Sequence, residues 1–326
     1  VKHCICFNSG GTALNALMLA LGIRPHEHVH VPSFTFIATA FAPLYVGARS
    51  HFIDIEEKRL GLDPAEVRKG LRKDTKAVMP IHYGGTPCQV EEILEAIEGT
   101  GIPLIEDAAE AFGATTRGRK VGTFGMASIF SFCQNKIFTT GEGGCVVTDD
   151  GELAERLRLI ASYGRVTHGD YFNSDAPVDY VIPGNNWRLS SIQAALGIAQ
   201  LKKVDRLITM RRRVASIYGQ ELAGAKGLEL PLEEDWSNVY QMYTVRLPDR
   251  RVRDGLISHL DRDGVACKVY FHPVHEYSVF KGDEHHDLPL TKRMSDRVLS
   301  LPIYPDMSDE DISYVSRSII TYLRGL

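Results

Sequence analysis

Lys136 stands alone in SFCQNKIFTTGEGG (131–144), between an aromatic, apolar run and a turn of three glycines around a glutamate. A lysine in a solvated loop needs neither neighbour. A lysine held behind a buried strand suits a Schiff base with a carbonyl compound. Asp107 closes IPLIED (102–107) and leads into AAEAFG. It can cap a helix of small residues, or hold a cationic ring nitrogen, with Ala108 and Ala109 leaving room for a flat ligand. NSGGT (8–12) places two glycines before a helix start. Unpaired amides and the positive end of a helix dipole make that an anion site, most often for phosphate. An ordinary tight turn with Thr12 as N-cap is the plainer reading of the same five residues taken alone. The stretch matches neither a Walker loop nor a Gly-x-Gly-x-x-Gly fingerprint.

The elements around these residues are strands and helices in alternation. CICF (4–7), HVHVPS (28–33), AVMPIH (77–82), IPLIED and ASIFSF (127–132) read as strands. Residues 10–23 and 90–101 read as helices, each closed by glycine. Such alternation predicts a mostly parallel sheet with helices on both faces. Only about a dozen residues separate SIFSF from GCVVT (144–148), too few for a crossover helix, so GCVVT is expected to run antiparallel. GEGG is then the side-chain-poor corner that returns the chain and fixes where the amine projects. Ligands gather at the carboxyl ends of parallel strands. His82, Asp107, Lys136 and the NSGGT loop all fall at or beyond such ends. A phosphate site, a carboxylate and a lysine together meet the needs of pyridoxal phosphate: an anchor, a partner for the ring nitrogen and a group for the aldehyde.

Length and composition agree with a large enzyme core and a second domain. The chain has 326 residues, 44% apolar and 24% charged, with net charge −4. That balance gives no reason to expect nucleic acid as a partner, and no run of 18 apolar residues suggests a membrane span. The six cysteines (4, 6, 88, 133, 145 and 267) are scattered, without paired metal-ligand spacing, and read as cytosolic thiols. No signal peptide is visible. The opening VKHCICF already reads as a strand, so an N-terminal segment is expected to be missing. From 152 to 164 the chain is helical, then loops through 165–186. Residues 190–223 form a long helical stretch, one helix or two. Beyond 225 a smaller α+β unit follows: strands at 240–247 and 265–271, helices at 252–264 and 309–324.

NSGGTALNALMLALGI, VPSFTFIATA, IEDAAEAFGA, SFCQNKIFTTGEGG and GNNWRLSSIQAALGIAQLKKVD resemble, in that order, the successive motifs of the DegT/DnrJ/EryC1/StrS aminotransferases. The likeness runs from residue 4 to about 322, through FHPVHE (271–276) and SLPIYPDMSDEDI (300–312). It implies an α/β fold of the fold type I transferases, a mostly parallel seven-stranded sheet sandwiched by helices. Residues 1–205 would be the large cofactor domain and 206–326 the small α+β domain. It implies pyridoxal 5′-phosphate bound covalently at Lys136, with Asp107 on the pyridinium nitrogen. Gly11, Thr12 and Ser131 would hold the phosphate, and Phe36 would stack on the ring. Asn186 would reach the phosphate of a neighbouring subunit, making the protein a homodimer with shared sites. Arg188 would anchor that loop or meet substrate, and His275 would touch substrate or be structural. Many relatives carry glutamine where this chain has Glu110; a carboxylate there faces the cofactor's negative phenolic oxygen unless it is protonated or turned away. His82 would lie beneath the cofactor. His26, His28 and His30 alternate along one strand surface, and no metal is expected there.

The implied reaction moves an amino group from glutamate or glutamine to a nucleotide-linked keto-sugar, for polysaccharide or natural-product amino sugars. A keto-cyclitol is the near alternative. A sugar dehydratase of this fold would carry histidine in place of Lys136, and a non-catalytic regulator would not need the complete set. The enzyme is expected in the cytoplasm.

Overall fold

The computed structural model describes residues 1–166, 177–231, 236–281 and 287–326. Seven strands order the site. They are β1 (His3–Phe7), β2 (His28–Pro32), β3 (Arg49–Ile53), β4 (Thr75–Val78), β5 (Ile105–Asp107), β6 (Ala127–Ser131) and β7 (Gly144–Thr148). One hydrogen-bonded group runs β1-β7-β6-β5 and the other β4-β2-β3. Parallel bridges Val78–Leu104 and Ile81–Asp107 join β4 to β5. β7 is antiparallel to both β1 and β6, as the short 131–144 connection requires. The register puts Gly144 opposite both Phe7 and Ser131.

Helices α1 (Gly10–Ala20), α2 (Ile37–Tyr45), α3 (Pro64–Gly70), α4 (Val90–Ala96) and α5 (Gly151–Ala161) flank this sheet. α1 forms because Ser9 and Thr12 close a reciprocal capping box and Leu14, Leu17 and Met18 bury one face. Gly22 ends it in the left-handed region (φ +67°), where glycine carries no steric penalty. Three elements had no clear sequence signal: α2, which contains Pro43; β3, RSHFI, half exposed at its start; and the seven-residue α3.

The stretch 190–223 is two helices, α6 (Ser191–Leu201) and α7 (Val204–Glu221), broken at Lys202–Lys203. β8 (Tyr243–Arg246) pairs antiparallel with β9 (Val298–Leu301). Helices α8 (Arg250–Arg262), α9 (Pro289–Arg297) and α10 (Asp309–Arg324) complete the chain. α7, α8, α10 and this two-stranded sheet share a core around Val214, Tyr218, Tyr243, Leu256 and Ile319. Residues 265–271 do not form the expected strand; only Lys268 bridges Ser300. The segment instead turns toward the large sheet, where its aromatic residues are used. Nor does a helix follow Asp107: residues 108–114 fold as successive turns, Ala111 N–H to Ala108 C=O and Ala114 N–H to Ala111 C=O. Among the described residues no helix is long and apolar enough to cross a membrane.

Candidate active site

The carboxyl ends of β5 and β6, the starts of α1 and α2 and the 133–136 loop surround a cavity of about 290 Å³. Gly10, Gly11, Phe36, Asp107, Glu110, Ser131 and Lys136 all line it. Close packing shapes the phosphate end. A Cβ on Gly10 would lie 2.9 Å from Ser131 Cβ, and one on Gly144 would lie 2.7 Å from Gly10 Cα. Glycine at these positions lets α1, β6 and β7 meet backbone to backbone.

Ser9 Oγ accepts from the Thr12 amide at 3.0 Å. The first two amides of α1, Gly10 and Gly11, keep no partner among the described residues and lie on the cavity wall. A Cβ on Gly11 would meet only Ser9 Oγ, at 3.8 Å, so the space there is open. Such a glycine cradle at a helix start fits a phosphate group. Thr12 is the next residue of the helix and does not line the cavity. Its hydroxyl donates to Asn8 Oδ1 at 2.7 Å and accepts from the Ser9 amide at 3.1 Å. Ser9, and not Thr12, is thus the N-cap of α1.

Asp107 is 2% exposed. Its Oδ2 accepts from Thr39 Oγ1 at 2.7 Å and its Oδ1 from the Ala109 amide at 3.1 Å. Burial pushes its carboxyl above the ordinary carboxylate value, against the pull of those two donors; Glu110 adds to the rise and Lys136 opposes it. A buried acid in that state is favoured in its charged form by a cation brought beside it. A protonated pyridine nitrogen is such a cation.

Lys136 Nζ donates to Glu110 Oε1 at 3.4 Å. The other Glu110 oxygen accepts from the Gly84 amide at 2.9 Å. The carboxylate is thus held between a lysine and a backbone donor. The lysine's own peptide is gripped from outside the sheet. Ile137 N–H donates to Gln241 Oε1 at 3.1 Å, and Gln241 Nε2 donates to Asn135 C=O at 2.8 Å. Phe36, at the N-cap of α2, is 59% exposed and flanks the cavity beside Phe271, ring centres 6.4 Å apart.

Four other residues lie away from the cavity. His82 is fully buried; its Nδ1 accepts from the Cys88 amide at 3.1 Å and its Nε2 lies 3.1 Å from Glu106 Oε2. It props Glu106 and does not line the cavity. Burial works against the Glu106 charge, yet His82 and the amides of Gly125 and Gly122 hold its carboxyl below the ordinary value. His275 is buried with Nδ1 at 2.6 Å from Ser33 Oγ. Arg188 is exposed, and its Nη1 donates to Ser162 Oγ at 2.8 Å. Asn186 is exposed and bridges Ser162. The loop argument for Asn186 falls partly outside the described residues, at 167–176. His28 and His30 are interior, not surface; His28 Nδ1 lies 3.0 Å from Asp74. Burial chiefly, then His51, lowers His30 to about 3. The sequence reading did not name Thr39, Gln241, Lys268 or Tyr270. Gln241 left a signal, a polar side chain between tyrosine and methionine in an otherwise apolar run; Thr39 left none beyond its motif.

This donor set fits pyridoxal 5′-phosphate: an amide cradle for phosphate, a buried acid for the ring nitrogen, and a clamped lysine between them. The chain is 38% identical to a GDP-perosamine synthase of Caulobacter vibrioides, over 97% of this chain and 84% of that protein. It is 33% identical to a UDP-N-acetyl-3-dehydro-alpha-D-glucosamine 3-aminotransferase of Acidithiobacillus ferrooxidans, over 100% of this chain and 85% of that protein. The crystal structure of the aminotransferase TlmJ from Streptoalloteichus hindustanus superposes with a TM-score of 0.92 at 31% identity, covering 99% of this chain and 86% of that one. The model of the DegT/DnrJ/EryC1/StrS aminotransferase family matches residues 1–320, and with the lysine, acid and phosphate cradle in place the chain belongs to that family, on the fold of the type I pyridoxal phosphate aminotransferases.

Proposed function

We propose that this aminotransferase carries an amino group from glutamate or glutamine to a nucleotide-linked keto-hexose, with Lys136 and Asp107 as its catalytic residues. The observation that carries the reading is the pairing of a clamped, half-buried Lys136 with a buried Asp107 on the wall of one cavity. The cofactor is pyridoxal 5′-phosphate. When bound it supplies the carbon that carries the amino group and the electron sink that makes the donor's α-proton removable. The chain's own residues do the rest. The Gly10 and Gly11 amides, with the Ser131 hydroxyl, anchor the phosphate. Asp107, ionised, keeps the proton on the ring nitrogen, and Thr39 orients Asp107. Lys136 would carry the proton of the transfer, as base at the donor's α-carbon and then as acid. Glu110 holds the lysine's ammonium form at the cavity wall. Phe36 covers the ring face. The acceptor reading rests on the named activities of the two relatives, both makers of nucleotide-linked amino sugars by name.

A homodimer with shared sites completes the reading. α6 is an 11-residue helix in which Gly197 alone is buried. Ile198 is 61% and Leu201 50% exposed on one side of it, an apolar face that suits a second copy of the chain. Asn186, exposed and outside its own cavity, is then free to reach the partner's phosphate. Residues 1–205 form the cofactor unit and 206–326 the small unit in this reading. The division falls in the first turn of α7, whose Ile208 packs with the cofactor-side core and whose Val214 packs with the other. The six thiols are unpaired, which suits a cytoplasmic enzyme.

The deciding experiment has two arms. Borohydride reduction of loaded protein, followed by peptide mapping, should tag Lys136. Glutamate should bleach the cofactor's absorbance, and a panel of nucleotide-linked keto-sugars should restore it. A tag on another residue removes the catalytic assignment; restoration by keto-cyclitols alone reassigns the acceptor.

A further inference from the structure

A second cavity, of about 360 Å³, adjoins the first and shares Asn135, Met242, Lys268 and Tyr270 with it. Its lining contains Lys268 and Arg211 and no aspartate or glutamate. Among the described residues no carboxylate lies within ion-pairing distance of Lys268, whereas the other lysine of the first cavity, Lys136, is paired with Glu110. Arg211 is 7% exposed and equally without an acid; its Nη1 donates to the Tyr240 carbonyl at 2.8 Å and its Nε has no partner. Burial lowers Arg211 to about 10, which leaves it charged at neutral pH. This small chamber therefore carries positive charge with no counter-charge of its own, the electrostatic signature of an anion subsite.

Lys268 is held where an anion beside the reacting lysine would meet it. Its amide donates to Ser300 C=O at 3.1 Å, and its carbonyl accepts from the Ser300 amide at 2.8 Å. Its ammonium lies 4.9 Å from the centre of the Tyr270 ring, another wall residue. The Tyr270 carbonyl in turn accepts from the Tyr83 hydroxyl. Backbone and side chain are thus both fixed, while the residue stays open to solvent.

We propose that Lys268 is the carboxylate-binding residue for the amino donor, taking a carboxylate of a glutamate-type amino acid at the junction of the two cavities. The proposal rests on the aminotransferase reading above and adds its donor subsite. Charge decides between the two substrates. An amino acid carries its carboxylate on the very carbon that reacts, so a cation on the wall of the Lys136 cavity lies within its reach. The phosphates of a nucleotide-linked keto-hexose are several bonds from the reacting carbonyl. Lys136 itself cannot serve, because it must give up its charge to move the proton.

The test uses the full chain loaded with cofactor and compares wild type with Lys268→Met and Lys268→Arg. Glutarate, a dicarboxylate without an amino group, probes the subsite by calorimetry. Glutamate and a nucleotide-linked keto-sugar are then followed separately in the two half-reactions. In Lys268→Met the glutarate Kd and the glutamate KM should rise at least about tenfold, corresponding to ~1.4 kcal/mol, with a much smaller fall in the saturated rate. Lys268→Arg should restore most of the loss. A change of twofold or less in both, or a loss confined to the keto-sugar half-reaction, overturns the proposal. Wild type that does not take glutarate overturns it too. Wild type that takes glutarate but shows no spectral response to any amino donor overturns the aminotransferase reading alone.

Discussion

Gln241 grips Lys136 by its flanking peptide groups: the carboxamide accepts from the residue after the lysine and donates to the residue before it. The side chain comes from the segment that leads into β8, so a part of the chain about a hundred residues away positions the Lys136 amine. Arg211, from α7, ties the Gln241 segment down through the Tyr240 carbonyl. Gln241→Leu keeps the volume and removes both contacts. The buried Ile137 amide is then left without an acceptor, at a cost of about 1–3 kcal/mol. Denaturant unfolding should show that loss. Single-turnover rates with glutamate should fall by roughly tenfold or more, because a misplaced amine forfeits the orientation on which the proton transfer depends.

Asp107 gives a pH signature in the cofactor-free protein. Its carboxyl sits above the ordinary value of 3.8 in the folded chain, chiefly through burial. Between 3.8 and that raised value the folded state holds a proton that the unfolded state has lost. Stability should therefore fall as pH rises through this window and level off above it. Asp107→Asn should remove that fall and leave the cofactor-free protein more stable at neutral pH. The same variant should lose catalysis by ~100-fold or more, since it cannot stabilise a protonated ring nitrogen. Thermal unfolding across pH 4–8 (roughly the range between ordinary carboxylate and histidine titration) tests the first part.

Two glycines at the phosphate end should respond in opposite ways. Gly11→Ala meets only Ser9 Oγ, at 3.8 Å, so fold stability should hold or rise by up to about 1 kcal/mol. Cofactor affinity should drop at least ~10-fold, because the methyl group stands where the phosphate belongs. Gly144→Ala would press its Cβ to 2.7 Å from Gly10 and 2.8 Å from the Phe130 carbonyl. Backbone on both sides cannot move aside cheaply, so a loss of about 1–3 kcal/mol is expected. Cofactor titration and denaturant unfolding separate the two effects.

Glu110 binds the Gly84 amide and faces Lys136 with its other oxygen. Glu110→Gln retains an acceptor for the amide, so the fold should be unaffected and activity should stay within roughly tenfold. Glu110→Ala leaves the buried amide unpaired and should cost about 1–3 kcal/mol. If the two variants unfold alike, the contact with Gly84 is not what holds Glu110 in place.

Subunit complementation tests the shared site. Lys136→Ala and Asn186→Ala are each expected to lower activity, Lys136→Ala to background. Mixed dimers should regain part of the activity, because one of the two sites then has both residues intact. Activity in mixtures no higher than the average of the two variants would count against a partner contribution.

Local patterns in the chain were sufficient for much of this. Glycine pairs before a helix, an acid closing a strand and a lysine before a glycine corner are features of neighbouring residues. The antiparallel course of β7 also followed from counting residues in one connection. Readings failed where a local rule had two outcomes. Thr12 reads as an N-cap, yet Ser9 is the N-cap of α1 and Thr12 is the third helical residue that closes the box. AAEAFG looks helical by composition, yet turns keep Glu110 and Asp107 on one cavity wall. VACKVYF alternates like a strand, but aromatic packing across to Phe34, Phe36 and Tyr83 governs it.

The amino-acid sequence by itself pointed to the chemistry available here: an amine, an acid and an amide cradle, and the strand–helix alternation that brings them to one sheet edge. The tertiary structure alone decided how those groups are held. Thr39 reaches Asp107 across 68 positions, and Gln241 reaches Ile137 across 104. Contacts of that span depend on how the sheet and the segment leading into β8 pack. No periodicity within either segment encodes them, because a side chain's partner across the fold leaves no mark on its own neighbours.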